Sequence, residues 1–97
     1  MMNFKNKKVL ITGATGGIGK AILEKFLSLE ATILGTGTNE EKLKNLKKDF
    51  PKIYISKFDI SEHSKIDEFI DNTYSVLGGI DVLINNAGIT RDKILLR

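Results

Sequence analysis

The sequence of 97 residues contains no cysteine and no tryptophan, and it has only one proline and one histidine. Without cysteine the chain has neither disulfides nor thiolate metal ligands, which is typical of a reducing compartment, so we expect a cytoplasmic location. No apolar run approaches the roughly 18 residues of a membrane span, and no apolar stretch near the start has the form of a secretory signal. We therefore expect no membrane contact, and no cluster of side chains has the spacing of a metal site.

The composition, with 41% hydrophobic and 28% charged residues, predicts one small globular domain. The net charge is +3, and lysines crowd one segment at positions 42, 44, 47, 48 and 52. Such a run can bind nucleic acid, and this alternative predicts an affinity that falls steeply with salt. Acidic residues lie among these lysines, however, and a specific binder is expected to use more arginine, so we favour a solvated helix and expect no nucleic acid as partner.

A short apolar run enters a glycine-rich turn at residues 9–19, which read VLITGATGGIG. Such a run is typical of a parallel strand that is buried on both faces. Gly13 can turn the chain sharply, while Gly17 and Gly19 allow a ligand or another backbone to come close. N–H groups at the start of the following helix attract an anion such as a pyrophosphate. Taken alone, the stretch also fits an ordinary tight turn between a strand and a helix.

Strand and helix patterns alternate along the rest of the chain. The predicted strands are residues 9–12, 31–35, 53–58 and 81–84. Helices are predicted from Gly17 to about Glu30, from a capping box at residues 38–41 to Phe50, and from an N-cap at Ser61 to Leu77.

This alternation predicts an α/β fold, the N-terminal half of a Rossmann-type doubly wound parallel sheet with strand order 3-2-1-4, truncated after strand four. The winding reverses between strands one and four, and a ligand crevice opens there, outside the carboxyl ends of the strands. The glycine-rich turn and Asn85-Asn86-Ala87-Gly88 both fall at that place.

The motif Thr12-Gly13-x-x-x-Gly17-x-Gly19, the acid Asp59 after strand three and residues 85–88 (NNAG) together resemble the short-chain dehydrogenase/reductases. The resemblance runs over essentially the whole chain. Residues 85–95 (NNAGITRDKIL) and the opening Met-Asn-Phe at residues 2–4 are most similar to the N-terminal part of the family's reductases for 3-oxoacyl groups carried on acyl carrier protein. This resemblance implies an NADPH-dependent reductase of fatty-acid synthesis, with acyl carrier protein as the substrate carrier. It also implies that the complete protein is a homo-oligomer.

The resemblance also implies positions for the cofactor. The diphosphate and the adenosine ribose lie along the glycine-rich turn, Asp59 and Ile60 meet the adenine, and residues 86–88 lie beside the nicotinamide-side ribose. Asp59 also fits a turn or capping role, and Asn86 also fits a bridge between strands. The predicted cofactor-binding residues are Gly13, Ala14, Thr15, Gly16, Gly17, Ile18, Gly19, Thr38, Asp59, Ile60, Asn86, Ala87 and Gly88.

The end of strand two decides the choice of cofactor. NAD sites place an acid there to hold the ribose 2′-hydroxyl, whereas residues 35–38 read GTGT and the first acid is Glu40. This favours NADP(H). By resemblance Thr38 donates to the 2′-phosphate, although it also fits the N-cap of the helix. Many NADP-using relatives carry a basic residue where this chain has Gly16, so Lys42 or a backbone N–H has to compensate.

The family's catalytic Ser-Tyr-Lys group is not found in these 97 residues. The required pattern is Tyr-x-x-x-Lys, but Tyr54 is followed four positions on by Phe58, and Tyr74 by Gly78. We therefore predict no catalytic residue, and we expect residues 1–97 to form an NADP(H)-binding half-domain that is inactive and marginally folded alone. Two further alternatives are a short-chain enzyme for another alcohol or ketone, and a non-catalytic NADP(H)-binding module.

Overall fold

Four parallel strands form one sheet in the order β3-β2-β1-β4, as the sequence predicts. The computed structural model describes residues 3–87. The strands are β1 (Lys8–Thr12), β2 (Thr32–Gly37), β3 (Tyr54–Lys57) and β4 (Val82–Asn85), and the helices are α1 (Gly17–Ser28), α2 (Glu40–Asp49) and α3 (Ile66–Leu77), the last preceded by a short 3-10 turn at His63–Lys65.

The central strand β1 pairs on both of its edges. Val9 lies opposite Ile33 of β2 on one side and opposite Val82 of β4 on the other. Crossovers of helical length connect the parallel strands, and helices cover both faces of the sheet. The middle of the strand, residues 9–11, is consequently apolar and buried, in agreement with the sequence pattern.

Successive side chains of β1 pack into two separate apolar clusters. Val9 and Ile11 pack with Leu23 of α1 and Leu46 of α2. Leu10 points to the opposite face, where it packs with Leu34, Phe69 and Leu77. Helices cover both faces of the sheet, so a ligand site can form only at the carboxyl ends of the strands.

β4 forms one edge of the described sheet, and it pairs with β1 alone. Leu83 in its middle is 46% exposed, while Val82 and Ile84 are partly buried. In the described part of the chain, strand four therefore has little apolar cover. Within residues 3–87 no helix combines the length and the hydrophobicity that crossing a membrane requires.

Two helix starts differ from the prediction. The N-cap of α2 is Asn39 and not Thr38, since the Asn39 side chain accepts a hydrogen bond from the Lys42 N–H at 3.0 Å. Ser61 does not cap a helix: its N–H and its hydroxyl both bond to Asp59, and α3 begins only at Ile66. In both cases a neighbouring Asn or Asp accepts the bond instead.

Element ends also differ from the prediction by a few residues. α1 ends at Ser28, and Glu30 adopts a left-handed conformation with φ of 63° where a glycine is usual. β2 continues to Gly37, because Thr36 and Gly37 still pair with β3. The prediction for Gly88 lies outside the described residues.

Candidate functional site

The carboxyl ends of β1, β2 and β3, with the residues that follow them, and Ala87 after β4 surround one cleft of about 240 Å³. Parallel strands all end at the same edge of the sheet, so these four segments meet although they lie far apart in the chain. The lining residues are Thr12, Gly13, Thr15, Thr36, Gly37, Thr38, Phe58, Asp59, Ile60 and Ala87.

Two glycines of the turn are needed for packing. Gly13 has φ of 62°, and a Cβ there would lie 2.9 Å from the Asn86 amide nitrogen and 3.1 Å from the Ala87 backbone. A Cβ on Gly19 would overlap the Gly13 carbonyl oxygen at 2.0 Å. A side chain at either position therefore displaces the backbone on which the turn is built.

The other two glycines of the turn lie against open space. A Cβ on Gly17 would meet nothing within 4 Å, and one on Gly16 would meet only the Gly13 carbonyl oxygen at 3.8 Å. Both are exposed at the start of α1, where backbone N–H groups have no partner within the helix. Ile18 beside them is 71% exposed. This surface of the turn is accessible to a ligand, and it carries the positive end of a helix dipole.

Ala14 holds the turn against the second strand. Its side chain is fully buried, and its N–H donates to the Thr36 carbonyl oxygen at 2.9 Å. A Cβ on Gly35 would lie 2.9 Å from the Ala14 side chain, so the two residues pack directly. Ala14 thus positions the turn, and its N–H is already committed to β2.

Hydrogen bonds connect the end of β1 to the residues after β4. The Asn86 amide donates to the Gly13 carbonyl oxygen at 3.1 Å, and the Ala87 N–H donates to the Thr12 hydroxyl oxygen at 3.0 Å. Thr12 in turn donates to the Asn85 side-chain oxygen at 3.2 Å. Thr12 is 4% exposed and the three bonds are partly buried, and together they fix the relative position of the two segments.

Asp59 combines a turn role with a place in the cleft. Its Oδ1 accepts the Ser61 hydroxyl at 2.7 Å and the Ser61 N–H at 2.9 Å. These two bonds hold the pKa of the Asp59 carboxyl below its usual value because they favour the charged form, and the bond from the hydroxyl has the larger effect. Asp59 therefore lines the cleft as a carboxylate that can accept from an amino group.

The end of β2 carries no acid. Gly37 and the exposed Thr38 line the cleft, and Asp59 is the single carboxylate among the lining residues described. A side chain at Gly37 would meet the Thr15 hydroxyl at 3.4 Å and Leu43 at 3.7 Å. The position at which NAD sites hold an acid is thus narrow and uncharged.

The structure brings most of the predicted binding residues together. Those that line the cleft are Gly13, Thr15, Thr38, Asp59, Ile60 and Ala87. Asn86 donates a hydrogen bond to the turn, and Ala14 and Gly19 lie buried beneath the turn. Gly16, Gly17 and Ile18 are exposed where the turn enters α1. Residues missing from that prediction are Thr12, Thr36, Gly37 and Phe58. Their position at the carboxyl end of a parallel strand was the available signal.

Neither tyrosine belongs to the cleft. Tyr54 lies on the edge strand β3 and is 46% exposed, and Tyr74 lies on α3 and is 60% exposed. His63 lies in the 3-10 turn and is also absent from the lining. Among residues 3–87, the cleft therefore holds no side chain that can readily exchange a proton near neutral pH.

Known proteins are similar to this chain in sequence and in fold. The family model for short chain dehydrogenase matches residues 7–96. The 3-oxoacyl-(acyl-carrier-protein) reductases of Aquifex aeolicus and Buchnera aphidicola are each 38% identical to the chain, over 99% and 98% of its length. A solved structure from Brucella melitensis, described as a short-chain dehydrogenase/reductase, glucose/ribitol dehydrogenase, is 33% identical with a TM-score of 0.81 and covers 95% of the chain.

The chain spans about two fifths of the length of these relatives, 41% and 40% of the two reductases and 40% of the solved structure. The resemblance predicted from the sequence, to the N-terminal part of such a reductase, is confirmed. The chain belongs to the short chain dehydrogenase family.

Proposed function

We propose that residues 1–97 form the NADP(H)-binding part of a short-chain reductase that reduces 3-oxoacyl groups carried on acyl carrier protein. The single observation that carries the proposal is the cleft, which joins the glycine-rich turn to Asp59 and Ala87 at the carboxyl ends of the strands. The proposal includes a cytoplasmic location and a homo-oligomer for the whole protein.

The residues present fit a dinucleotide. The open surface of Gly16 and Gly17 allows a diphosphate to approach the first turn of α1, where N–H groups and the helix dipole favour negative charge. The Asp59 carboxylate can accept from the adenine amino group, and the neighbouring Ile60 supplies an apolar contact for a flat ring.

In this proposal the residues of the chain bind and orient the dinucleotide. The bonds of Asn86 and Thr12 hold the segment after β4 at a fixed distance from the turn, so that both ends of a long ligand meet preformed surfaces. When bound, a reduced nicotinamide supplies a hydride to a carbonyl carbon. The proton for the resulting alkoxide has to come from a group outside residues 3–87, since the described cleft offers no suitable donor.

The preference for NADP(H) rests on the end of β2. A carboxylate at Gly37 would accept from a ribose 2′-hydroxyl and repel a 2′-phosphate, and the glycine does neither. Thr38 is exposed beside it and can donate to a phosphate.

The substrate part of the proposal rests on similarity. The Aquifex aeolicus and Buchnera aphidicola relatives are named as 3-oxoacyl-(acyl-carrier-protein) reductases. The Brucella melitensis structure, described as a glucose/ribitol dehydrogenase, favours the alternative of another alcohol substrate.

The test separates binding from turnover. Binding of NADPH and NADH to the full-length protein is measured by the fluorescence of the reduced nicotinamide, and oxidation of NADPH is followed with a 3-oxoacyl carrier-protein substrate and with simple sugars and ketones. Binding of NADPH with turnover of the acyl substrate supports the proposal. Turnover of another alcohol or ketone without turnover of the acyl substrate means that the proposed substrate is wrong and that the alternative substrate class is correct. Binding without any turnover identifies a non-catalytic module.

A further inference from the structure

Two buried threonine hydroxyls have no hydrogen-bond partner among residues 3–87. They belong to Thr36 on β2, which is 2% exposed, and to Thr73 on α3, which is 1% exposed. A buried hydroxyl without a partner has lost its bonds to water and gained none in the protein, so it destabilises the fold. Of these two residues only Thr36 lines the cofactor cleft. Its hydroxyl is consequently the one that a ligand in the cleft can satisfy.

The side chain of Thr36 lies on the face of the sheet that α3 covers. A Cβ on Gly35 or on Gly37 would lie against side chains of the glycine-rich turn and of α2, and successive residues of a strand point to opposite faces. Phe58 also borders the cleft, and its ring stacks on the ring of Phe69 with 4.2 Å between the centroids. Thr36 therefore lies in the part of the cleft that has an aromatic wall.

Thr12, at the end of the neighbouring strand β1, is also buried and also lines the cleft, but its hydroxyl is satisfied. It accepts from the Ala87 N–H at 3.0 Å and donates to the Asn85 side-chain oxygen at 3.2 Å. Thr36 is bonded only through its backbone, where its carbonyl oxygen accepts from the Ala14 N–H at 2.9 Å. Its hydroxyl thus keeps one donor and two acceptor sites for another partner.

We infer that Thr36 binds the adenine ring, its hydroxyl donating to a ring nitrogen while the Asp59 carboxylate accepts from the amino group. The inference rests on the proposed function, because it requires the dinucleotide to occupy the cleft. Adenine carries an amino donor beside ring-nitrogen acceptors on a flat apolar ring, which matches these two side chains and the Phe58 wall. The Thr36 oxygen is out of reach of water in the structure, so binding includes a rotation about χ1 between two staggered rotamers.

The experiment separates the binding role of this hydroxyl from its cost to stability, in the full-length protein. Thr36→Val replaces the hydroxyl by a methyl group of similar size, and Thr36→Ser keeps it. Thr73→Val is the matched control, because it removes the other unpartnered hydroxyl, which does not line the cleft. Dissociation constants for NADPH are measured by nicotinamide fluorescence, and the Tm is measured without ligand.

We expect Thr36→Val to weaken NADPH binding about fivefold, as the loss of one neutral hydrogen bond predicts, while Thr36→Ser and Thr73→Val change it by less than about twofold. Both valine variants should raise the Tm by about 2–4 °C, because each removes a buried hydroxyl that has no partner. Thr36 then stabilises the complex at the expense of the free protein, and Thr73 does not.

A fragment of the dinucleotide locates the contact. Adenosine 2′,5′-bisphosphate carries the adenine and no nicotinamide, and it is added as a competitor of NADPH. Thr36→Val should weaken the competitor by the same factor as NADPH. A competitor that binds both proteins equally well, or that does not displace NADPH at all, would overturn the inference, because the lost contact would then lie elsewhere on the dinucleotide.

Three further results contradict the inference. A lower Tm for Thr36→Val means that the hydroxyl has a partner within the whole protein. NADPH binding that Thr36→Val leaves unchanged means that the hydroxyl is unpaired in the complex as well, and equal weakening by Thr73→Val means that the effect does not arise in the cleft. In all three cases dinucleotide binding itself is intact, whereas an unmodified protein that binds no NADPH overturns the proposed function and this inference together.

Discussion

The side-chain amide of Asn86 donates to the carbonyl oxygen of Gly13 at 3.1 Å, across 73 positions of the chain. A Cβ on Gly13 would lie 2.9 Å from the same amide nitrogen, so the bond forms only because residue 13 is a glycine. The two residues thus fix each other's identity: the glycine makes room for the amide, and the amide binds the carbonyl oxygen that the turn exposes.

Replacing the donor tests this bond. In Asn86→Asp a carboxylate faces the Gly13 carbonyl oxygen and cannot donate when ionised. We expect the free energy of unfolding to fall by about 1–3 kcal/mol, the cost of a part-buried group that loses its partner. Urea unfolding at neutral pH measures the change.

The control is Asn72→Asp, the same substitution at an exposed position of α3. It should change the free energy of unfolding by less than about 0.5 kcal/mol. If Asn86→Asp is as stable as Asn72→Asp, the bond between Asn86 and Gly13 contributes nothing to stability.

The glycines of the turn divide into two classes that a methyl group distinguishes. In Gly19→Ala the new Cβ would lie 2.0 Å from the Gly13 carbonyl oxygen, which is backbone and cannot rotate away. We expect a loss of about 3 kcal/mol or more, or no folded protein. In Gly17→Ala the Cβ meets nothing within 4 Å, so alanine in the first turn of α1 should be neutral or stabilising by up to about 1 kcal/mol.

Thermal unfolding followed by circular dichroism compares the two variants with the unchanged protein. A Gly17→Ala variant that loses as much stability as Gly19→Ala would mean that the turn tolerates no side chain at all. The division between packing and open glycines would then be wrong.

The order of strands and helices could be predicted from the sequence because each element carries its own periodic signal. Val9, Leu10 and Ile11 of β1 form an apolar run that is buried, and the turn at Gly13 marks the end of the strand. Once the alternation of strands and helices is known, right-handed crossovers leave few sheet orders, and 3-2-1-4 is the one observed.

Helix ends and cleft neighbours were harder to predict. Thr38 and Asn39 are both good N-caps, and the backbone conformation alone decides that Asn39 accepts the bond. The N-cap prediction at Ser61 is wrong because the Ser61 N–H and hydroxyl both donate to the Asp59 carboxylate. Lining residues such as Phe58 lie at or just after the carboxyl end of a parallel strand, but which of these residues face the cleft depends on the neighbouring strands, and the local sequence does not encode that arrangement.

Glu30 has a left-handed backbone conformation, and the cost of this conformation to stability can be measured. It follows α1 with φ of 63°, a conformation that costs a residue with a side chain about 1–2 kcal/mol and costs glycine little. Glycine also has more freedom in the unfolded chain, which offsets part of the gain. We expect Glu30→Gly to raise the free energy of unfolding by about 0.5–1 kcal/mol.

The matched control is Glu24→Gly, an exposed position inside α1. There glycine should lower the free energy of unfolding by about 1 kcal/mol, because the backbone is helical. Opposite signs for the two substitutions are the expected result in urea unfolding. A loss of stability in both variants would mean that the strain at Glu30 is negligible.

The pKa of Asp59 offers a test of the turn after β3. The Ser61 hydroxyl, at 2.7 Å from Oδ1, and the Ser61 N–H, at 2.9 Å, lower this pKa below the ordinary value of 3.8. In Ser61→Ala the hydroxyl is lost and the N–H remains, so the pKa should rise part of the way toward 3.8. Titration of the side-chain carboxyl by nuclear magnetic resonance measures it, with the exposed Ser64→Ala as control.

The sign of the linked stability change follows from the direction of this shift. Because the pKa of Asp59 is lower in the folded state, its bonds to Ser61 stabilise the fold above the unfolded pKa, near 3.8, and this contribution is lost as the pH falls through the folded pKa. The stability difference between the unchanged protein and Ser61→Ala should accordingly be present at pH 7 and shrink in acid below 3.8. A difference that stays constant down to the lowest pH would show that the Ser61 hydroxyl acts through packing and not through the Asp59 carboxylate.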